Sequence, residues 1–323
     1  MRWVVYGAGA VGGVLGARLY DGGHDVVLVA RGRHLEAIRK DGLTLAAPDG
    51  TRTMPAPAVE TAAELDAGQP TTVLLAVKSH QTHAAVEDLT GFLAPTTPVV
   101  SVQNGVANEA TLLRFFDDVQ GVCVMMPTGH LEPGVVEAHC SPVPGILDVG
   151  RFPGGCNDTS QRVAEAFRSA GFESEPRTDI MAWKYRKLMM NLGNAVQACC
   201  GDSDGASDLA DRARAEGEAV LAAAGIPVVS PETDRERRGG ILNIREIPGR
   251  ERRGGSSWQS LRRGTGSIET DYLNGEVVLL GRLHGTPTPV NELLRRTALW
   301  MARDGAEPSS LDAADLLQRL PPA

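Results

Sequence analysis

Short, continuously apolar runs recur along the first half of the chain, and helix-like segments follow them. The runs lack the polar alternation of a half-exposed strand, so they predict strands that are buried on both faces. Such strands alternating with helices indicate a parallel sheet covered on both sides. The runs are RWVVY (2–6), DVVLVA (25–30), TVLLAVK (72–78), PVVSVQN (98–104) and GVCVMMP (121–127).

The pattern changes after about residue 175. From there the spacing of apolar residues is that of helices, and no segment has the pattern of a strand. A chain of 323 residues is also long enough for two domains. We therefore predict an α/β domain over residues 1–175 and an all-α domain over residues 176–323. The helical segments are 179–200, 206–225, 267–285 and 288–304.

A glycine-rich turn follows the first predicted strand and opens the first predicted helix. Residues 7–12 read GAGAVG, which is the pattern G-x-G-x-x-G. The first glycine permits a tight turn, the second lets the backbone approach a pyrophosphate, and the third lets helix and strand pack closely. The first domain is therefore predicted to be of the Rossmann type. Its dinucleotide-binding loop consists of Gly7, Ala8, Gly9, Ala10, Val11 and Gly12.

The end of the second predicted strand indicates which dinucleotide is bound. An NAD site usually places Asp or Glu there, where the carboxylate bonds the ribose 2′-OH. In this chain the strand is followed directly by Arg31. A guanidinium matches a phosphate group in charge and in geometry. We therefore expect NADP(H), with Arg31 on the 2′-phosphate.

Two further apolar runs end in a polar residue, Lys78 in one and Asn104 in the other. In open α/β sheets, ligands bind beyond the carboxyl ends of the strands. Both residues are therefore candidates for the border of the cofactor crevice. Polar termination of a strand is also ordinary, and position alone leaves both interpretations open.

A helical segment of the second domain carries a polar stripe. KYRKLMMNLGNAV (184–196) is mostly apolar, yet Lys187, Asn191 and Asn194 are spaced i, i+4 and i+7 on one face. Spacing alone favours a face turned to solvent, although asparagine is a poor residue for an exposed helix interior. The alternative is a polar cleft. There, burial lowers the pKa of a lysine, which can then protonate the alkoxide formed when a ketone accepts a hydride.

Together with two further segments, these pieces resemble the ketopantoate reductase (2-dehydropantoate 2-reductase) family over nearly the whole chain. The most specific piece is SSW…IETDYLNG, in which a serine before a bulky apolar residue precedes, by twelve positions, the glutamate of E-x-D-Y-x-N-G. The resemblance implies an NADP-binding Rossmann domain, a helical domain and an active site between them. The other matching pieces are GAGAVG, Arg31, AVKSHQT, QNG and the K-x-x-x-N of KLMMN.

The resemblance also implies roles for individual residues. Lys187 is expected to be the general acid, and Asn191 an amide that positions the substrate. Ser257 is expected to contact the substrate carboxylate. Glu269 is expected to bond the substrate hydroxyl or the nicotinamide ribose and to hold the charge of the lysine. The further cofactor contacts that it implies are Lys78, Gln81 and Asn104, the last also near the substrate.

The chain departs from the family pattern at two positions. The family often has a second asparagine four residues after Asn191, where this chain has Ala195, and Asn194 comes one residue early. A shift of one position rotates a helical side chain by about 100°, so Asn194 is not expected to replace the missing amide, although it stays a candidate substrate contact. Ser260 stands where an Asp is common. Both departures concern the substrate, so reductase chemistry is better supported than any particular substrate.

Composition weighs against other classes of function. A formal net charge of -8 and a pI of about 5.4 give no electrostatic case for nucleic acid or an anionic membrane. The N-terminal apolar run imitates a signal peptide, but its glycine spacing has a better explanation, and no other segment reaches the roughly 20 apolar residues needed to span a bilayer. Five cysteines without metal-ligand spacing are typical of reduced thiols in a cytoplasmic protein. We expect no metal site, because His80 and His83 have no evident third ligand.

An Arg- and Gly-rich segment over residues 235–263 invites a nucleic-acid interpretation. It also contains acidic residues and has Trp258 as its single aromatic side chain, so stacking on bases is not favoured. We predict a solvated, mobile loop, and we consider that it acts as a lid whose arginines attract an anionic substrate.

The sequence thus predicts a cytoplasmic NADPH-dependent reductase of a 2-oxo acid. The first choice of reaction is 2-dehydropantoate to (R)-pantoate, in pantothenate biosynthesis. The alternatives are a sibling reductase acting on another 2-oxo acid or ketone, a β-hydroxyacid dehydrogenase, and a non-catalytic NADP(H)-binding sensor. A homodimer is one option for its assembly.

Overall fold

The computed structural model describes residues 1–66, 68–251 and 254–321. The chain divides into two compact units, Met1–Lys184 with Pro231–Arg252, and Tyr185–Ser230 with Arg253–Ala323. The first unit is built on a mostly parallel sheet and the second on helices. The predicted fold class, an α/β Rossmann-type domain followed by an all-α domain, is confirmed.

All strands among the described residues lie in the first unit. In chain order they are β1 (Arg2–Tyr6), β2 (Asp25–Val29), β3 (Leu43–Ala47), β4 (Gly50–Met54), β5 (Ala58–Val59), β6 (Thr71–Leu75), β7 (Val99–Ser101), β8 (Val119–Met125), β9 (Thr128–Gly129), β10 (Val135–Ala138) and β11 (Ile146–Arg151). The five predicted strands correspond to β1, β2, β6, β7 and β8.

The helices of the first unit are α1 (Ala10–Asp21), α2 (Gly32–Asp41), α3 (Thr82–Thr90), α4 (Asn108–Leu112), α5 (Asp158–Ser169) and α9 (Pro231–Arg238). Helix α6 (Ile180–Asn191) begins in the first unit and ends in the second. The second unit contains α7 (Gly193–Cys200), α8 (Ala206–Ala223), α10 (Ser256–Arg263), α11 (Asn274–His284), α12 (Pro289–Asp304) and α13 (Ala313–Gln318). Short 3₁₀ helices span Ala62–Glu64, Ser79–Gln81 and Glu269–Tyr272.

The larger sheet has the strand order β11-β8-β7-β6-β1-β2-β5. Its neighbouring strands are parallel except for the pair β11 and β8. In this register Tyr6, at the end of β1, lies between Val29 of β2 and Leu75 of β6. The turns that follow these three strands therefore lie along one edge, where open parallel sheets bind their ligands.

Both faces of the larger sheet are buried, which explains the continuous apolar runs. Along β1, Trp3 and Val5 belong to one hydrophobic cluster, whereas Val4 and Tyr6 belong to another. Successive side chains of a strand point to opposite faces. Neither face of this strand is therefore left for water, and no polar alternation is seen in its sequence.

The smaller sheet, with the order β4-β3-β10-β9, was not predicted. Strand β4 reads GTRTM and is exposed at its first four positions, so it carries no apolar run. Strand β3 pairs in parallel with β10, which is far away in sequence. Such strands are specified by long-range pairing and not by their own hydrophobicity.

The boundary between the units differs from the predicted one. It falls at Lys184 and Tyr185, inside helix α6, and not between residues 175 and 176. The segment Pro231–Arg252, expected in the helical domain, belongs to the first unit. Ion pairs hold it there. Arg237 bonds the buried carboxylate of Asp148 through two nitrogens, at 2.9 and 2.8 Å, and this contact raises the pKa of the guanidinium.

The prediction of a solvated loop over residues 235–263 is wrong at both ends of that segment, whereas residues 239–251 lie outside the helices and strands and are mostly exposed. Its ends lie in helices α9 and α10. Between them, Arg250 pairs with Glu137 at 2.9 Å and with Glu132 at 3.1 Å. These guanidiniums bind carboxylates of the protein, which weakens the idea that they attract a substrate. Arg252 and Arg253, part of the predicted loop, lie outside the described residues.

Candidate functional site

The glycine-rich loop has the geometry that requires glycine at its first and last positions. Gly7 has a φ of +102°, and a Cβ on it would lie 2.8 Å from Val77 Cγ1. A Cβ on Gly12 would overlap the carbonyl oxygen of Gly7 and lie 2.9 Å from Ala76 Cβ. Helix α1 and strand β1 therefore approach more closely than any larger residue would allow.

The start of helix α1 fits a phosphate group. Gly9 is the N-cap residue, and no side chain among the described residues caps the helix. An ideal Cβ on Gly9 would have nothing within 4 Å, so the space in front of the helix is open. The first amides of a helix have no intrahelical acceptor, and they favour anions. This uncapped, open cradle therefore suits the pyrophosphate of a dinucleotide.

Arg31 lies next to this cradle in the fold. It is the N-cap residue of α2, follows the strand that pairs with β1, and is exposed. Its NH2 group donates to the hydroxyl of Tyr6 at 3.1 Å. The first turn of α2 contains no acidic residue. The position therefore supplies positive charge where an NAD site would place a carboxylate.

His34, which the sequence did not single out, supports the loop. Its Nε2 lies 2.7 Å from the carbonyl oxygen of Ala8, and its Nδ1 lies 2.8 Å from the backbone nitrogen of Gly134. A carbonyl only accepts and a backbone N–H only donates, so the proton must sit on Nε2. Burial lowers the pKa of this imidazole. A neutral His34 thus links the cradle to strand β10.

Buried amides join the turns that carry Lys78 and Asn104. Gln103 donates to the hydroxyl of Thr82 at 3.0 Å, and this hydroxyl donates to Asn108 at 2.9 Å. The amide nitrogen of Asn108 donates to the carbonyl of Asn104 at 3.2 Å. The structure therefore brings these two predicted turns together. The connecting role of these amides could not be predicted, because a single sequence does not distinguish a buried amide from an exposed one.

Gln81 belongs to the same turn as Lys78. Its side-chain oxygen accepts the backbone N–H of Lys78 at 3.2 Å, and the residue is exposed. The two predicted cofactor contacts after β6 are thus held in one local structure. Lys78 is the N-cap residue and Gln81 the last residue of the 3₁₀ helix Ser79–Gln81, so both lie on one short turn of chain.

A buried ion pair fixes the first turns of helix α6 to helix α4. Lys184 Nζ lies 2.6 Å from Glu109 Oε1, and these side chains are 2 % and 0 % exposed. The ammonium also donates to the carbonyls of Gln103 at 2.8 Å and Val122 at 3.2 Å. Charged residues are rarely buried unless they are paired. The sequence did not reveal this pair, and the predicted acid, Lys187, follows Lys184 by one helical turn.

The polar stripe of the second unit is not a solvent-facing surface. Asn191, at the end of α6, is only 5 % exposed, and Lys187 is partly buried. The apolar Met190 is the exposed residue of this turn, at 37 %. The interpretation of the stripe as an exposed face therefore fails for Asn191.

Asn194 lies in helix α7, which follows α6 after the single residue Leu192. The backbone of Leu192 is itself helical, with φ -61° and ψ -32°, so this break does not remove the rotation of about 100° expected for Asn194. The side-chain oxygen of Asn194 lies 3.9 Å from an ideal Cβ on Gly255, the N-cap residue of α10. Asn194 is therefore close to the start of the helix that carries Ser257. Ala195 is 2 % exposed, so its small side chain is packed inside the protein.

Ser257 and Glu269 are both buried, and an arginine lies close to the glutamate. Arg263, at the end of α10, donates to the hydroxyl of Ser260 at 3.3 Å. Burial lowers the pKa of this guanidinium, and the negative charge of Glu269 partly offsets that effect. The sequence did not single out Arg263. Its place in the Arg-rich segment gave it the appearance of a solvated residue.

Part of the E-x-D-Y-x-N-G segment serves the structure. The amide nitrogen of Asn274 donates to the carbonyl of Leu192 at 3.2 Å and to Asn291 at 3.0 Å. An interrupted helix leaves backbone carbonyls without an intrahelical donor, and a buried carbonyl needs a partner. Asn274 therefore stabilises the interruption that separates Asn191 from Asn194.

Searches of the described residues found no helix long and apolar enough to cross a bilayer. They also found no group of three or more His, Cys, Asp or Glu side chains that could hold a metal ion.

Comparison with known proteins gives a consistent result. Residues 3–154 match the family model "Ketopantoate reductase PanE/ApbA", and residues 179–298 match the model of its C-terminal domain. The 2-dehydropantoate 2-reductase of Halobacterium salinarum is 30% identical over 94% of this chain and 100% of its own. The resemblance seen in the sequence is confirmed.

Two solved structures share the fold. A PanE/ApbA family ketopantoate reductase from Ralstonia eutropha JMP134 has a TM-score of 0.79 at 28% identity, covering 94% of this chain and 99% of its own. D-mandelate dehydrogenase in a ternary structure with NADH and anilino(oxo)acetate has a TM-score of 0.80 at 21% identity, with the same coverage. The fold therefore occurs in more than one kind of oxidoreductase, in one of them with NADH bound.

Proposed function

The chain belongs to the ketopantoate reductase PanE/ApbA family of pyridine-nucleotide-dependent oxidoreductases, and from this premise we propose that it reduces a 2-oxo acid with NADPH. The proposed reaction is 2-dehydropantoate to (R)-pantoate, in the cytoplasm, as a step of pantothenate biosynthesis. The observation that carries the proposal is the match of both family models, which covers residues 3–154 and 179–298. In this proposal the nucleotide binds the first domain and the second domain supplies most substrate contacts.

The nucleotide is held by residues that follow neighbouring strands of the larger sheet. The loop Gly7–Gly12 takes the pyrophosphate, which the open and uncapped start of α1 supports. Arg31 takes the 2′-phosphate. Its exposed guanidinium is the support for NADP(H) over NAD(H), because a guanidinium binds a phosphate through paired hydrogen bonds. Lys78, Gln81 and Asn104 complete the cofactor contacts.

Lys187 is the proposed general acid. The reduced nicotinamide, when bound, supplies the hydride that converts the carbonyl carbon into an alkoxide. A proton from the Lys187 ammonium, which is partly buried, to the alkoxide oxygen completes the hydroxyl group. The buried carboxylate of Glu269 bonds the substrate hydroxyl or the ribose and balances the charge of the lysine.

The substrate is positioned by amides and a hydroxyl. Asn191 and Ser257 are both buried, so hydrogen bonds from them to a carboxylate compete less with water than surface bonds would. Asn104 and Asn194 are the further proposed contacts. Holding the carbonyl carbon in a near-attack geometry accounts for a large part of the rate enhancement.

A sibling reductase of another 2-oxo acid or ketone is the second candidate, and Ala195 favours it. This residue replaces a second asparagine that is frequent in the family, and it is buried. An alanine leaves more apolar space than an asparagine does. A substrate with a bulkier apolar group than 2-dehydropantoate would use that space.

The test is NADPH oxidation by purified protein with 2-dehydropantoate and a panel of other 2-oxo acids. Lys187→Ala is measured beside Lys40→Ala, which removes a lysine whose side chain is 82% exposed. We expect the native protein to turn over 2-dehydropantoate. The rate should fall at least about 100-fold in Lys187→Ala, as for the loss of a general acid, and should be retained in Lys40→Ala. Faster turnover on a bulkier 2-oxo acid would make that acid, and not 2-dehydropantoate, the proposed substrate. NADPH binding without turnover on any member of the panel would favour the sensor.

A further inference from the structure

Arg31 is held in place by a tyrosine from the strand that precedes the glycine-rich loop. The hydroxyl of Tyr6 lies 3.1 Å from the NH2 group of Arg31 and 2.6 Å from Oδ2 of Asp88 on helix α3. The same carboxylate oxygen accepts the backbone N–H of Ala62 at 2.9 Å. These contacts form a chain from the sheet core to the exposed guanidinium.

The direction of each hydrogen bond follows from the chemistry of the groups. A guanidinium only donates and a carboxylate only accepts. Tyr6 must therefore donate its single proton to Asp88 and accept from Arg31. Burial, together with the bond to Asp88, raises the pKa of the phenol, which stays protonated. The phenol oxygen is thus a polarised acceptor facing the arginine.

Packing in the sheet holds the phenol of Tyr6 in place. Tyr6 is 2 % exposed, and its ring belongs to the hydrophobic cluster that includes Val29 and Leu75, its two neighbours across the sheet. Tyr6 ends strand β1 and is followed directly by Gly7. The acceptor is therefore fixed in position relative to the start of the nucleotide cradle.

We propose that Tyr6 is a positioning residue that orients the Arg31 guanidinium for the 2′-phosphate and thereby sets the preference for NADP(H) over NAD(H). This inference rests on the proposed function, because it assumes that Arg31 binds that phosphate. A guanidinium carries five N–H groups, so one bond to Tyr6 is compatible with a paired contact to phosphate.

The energetic advantage comes from order that exists before binding. An exposed arginine loses rotamer freedom when it binds a phosphate, and a fixed acceptor reduces that loss. NAD has a hydroxyl in place of the 2′-phosphate, so its binding gains nothing from an ordered Arg31. The tyrosine hydroxyl should therefore affect the two nucleotides unequally.

The experiment measures the dissociation constants of NADPH and NADH for four proteins by nucleotide fluorescence titration. The variants are Tyr6→Phe, Arg31→Ala and Tyr20→Phe, the last a matched control on helix α1. Tyr6→Phe should weaken NADPH binding about threefold to tenfold, the range for one hydrogen bond, and leave NADH within about twofold. Arg31→Ala should weaken NADPH about tenfold or more, and Tyr20→Phe should change neither constant.

The two proposals fail in different ways. If the ratio of the NADPH and NADH dissociation constants is unchanged in Arg31→Ala, the NADP(H) assignment is refuted, and the inference with it. A changed ratio in Arg31→Ala but not in Tyr6→Phe refutes the inference alone. Equal weakening of both nucleotides in Tyr6→Phe also refutes it, since the hydroxyl would then act on the fold. Should Tyr6→Phe fail to fold by circular dichroism, Asp88→Asn, which removes the charge behind the phenol, is judged by the same ratio.

Discussion

Removal of the Lys184 ammonium breaks a fully buried ion pair of the first unit. In Lys184→Met the apolar stem is largely preserved, while the charge that faces Glu109 at 2.6 Å is lost. Two backbone carbonyls, of Gln103 and Val122, lose the same donor. The variant therefore leaves a carboxylate with no exposed surface and no cation beside it.

The size of the effect follows from this burial. Breaking a buried ion pair by removing one partner costs about 3–5 kcal/mol, because the remaining charge is uncompensated. In a unit of about 200 residues, each kcal/mol lowers the melting temperature by about 2–4 °C. We therefore expect Lys184→Met to melt about 6–20 °C below the native protein.

The assay is thermal and urea unfolding, followed by far-ultraviolet circular dichroism, for Lys184→Met, Glu109→Gln and the double variant. Removing both charges should be less harmful than the sum of the single changes, with a coupling energy of about 0.5–3 kcal/mol. Lys40→Met, at an exposed lysine, should stay within about 0.5 kcal/mol of native. A loss below about 1 kcal/mol in Lys184→Met, or purely additive single effects, would show that the charges do not face each other inside the folded unit.

Two other sites give predictions that separate binding from stability. Gly9→Ala should weaken NADPH binding at least about tenfold with a nearly unchanged melting temperature, since its Cβ enters the open cradle. Gly12→Ala should instead cost about 1–3 kcal/mol of stability, because its Cβ overlaps the Gly7 carbonyl. Nucleotide titrations and melting curves of both variants test this, and the same behaviour in both variants would contradict the proposed cradle. For His34, burial holds the pKa below the usual value of 6.5, so the unfolded chain takes up a proton first as pH falls. The contribution of neutral His34 to the free energy of unfolding is then complete above about pH 6.5, and it is lost as the pH falls through the lowered pKa. Melting temperatures of native protein and His34→Gln between pH 4.5 and 8 should converge towards the acid end, and parallel curves would refute this.

The sequence by itself determined the parts of this protein whose cause is local. Strand β1 is a continuous apolar run because both of its faces are buried, and GAGAVG follows it directly, so strand, turn and helix could be predicted from 20 residues of chain. The succession of such units implied the parallel sheet, and the change of period after residue 175 implied the helical domain. The nucleotide candidates up to Arg31 were accessible for the same reason.

The family resemblance, not the periodicity, supplied Ser257 and Glu269 as candidates. Their burial was not predicted from the residues around them, which are rich in Arg and Gly. Conversely, the interruption of one residue at Leu192 was not predicted, although the backbone of Leu192 keeps helical angles. That interruption is stabilised by Asn274, whose partner lies 82 residues away in the chain.

Only the tertiary structure decided which charged and polar side chains are buried against which partners. Lys184 and Glu109, Arg237 and Asp148, and His34 with its two backbone contacts are each assembled from separate segments. A charge or an amide lies at the surface far more often than in such a buried pair, so its residue type does not reveal its partner. Burial of a polar group becomes favourable only once the complementary group is brought beside it, and that is a property of the folded chain.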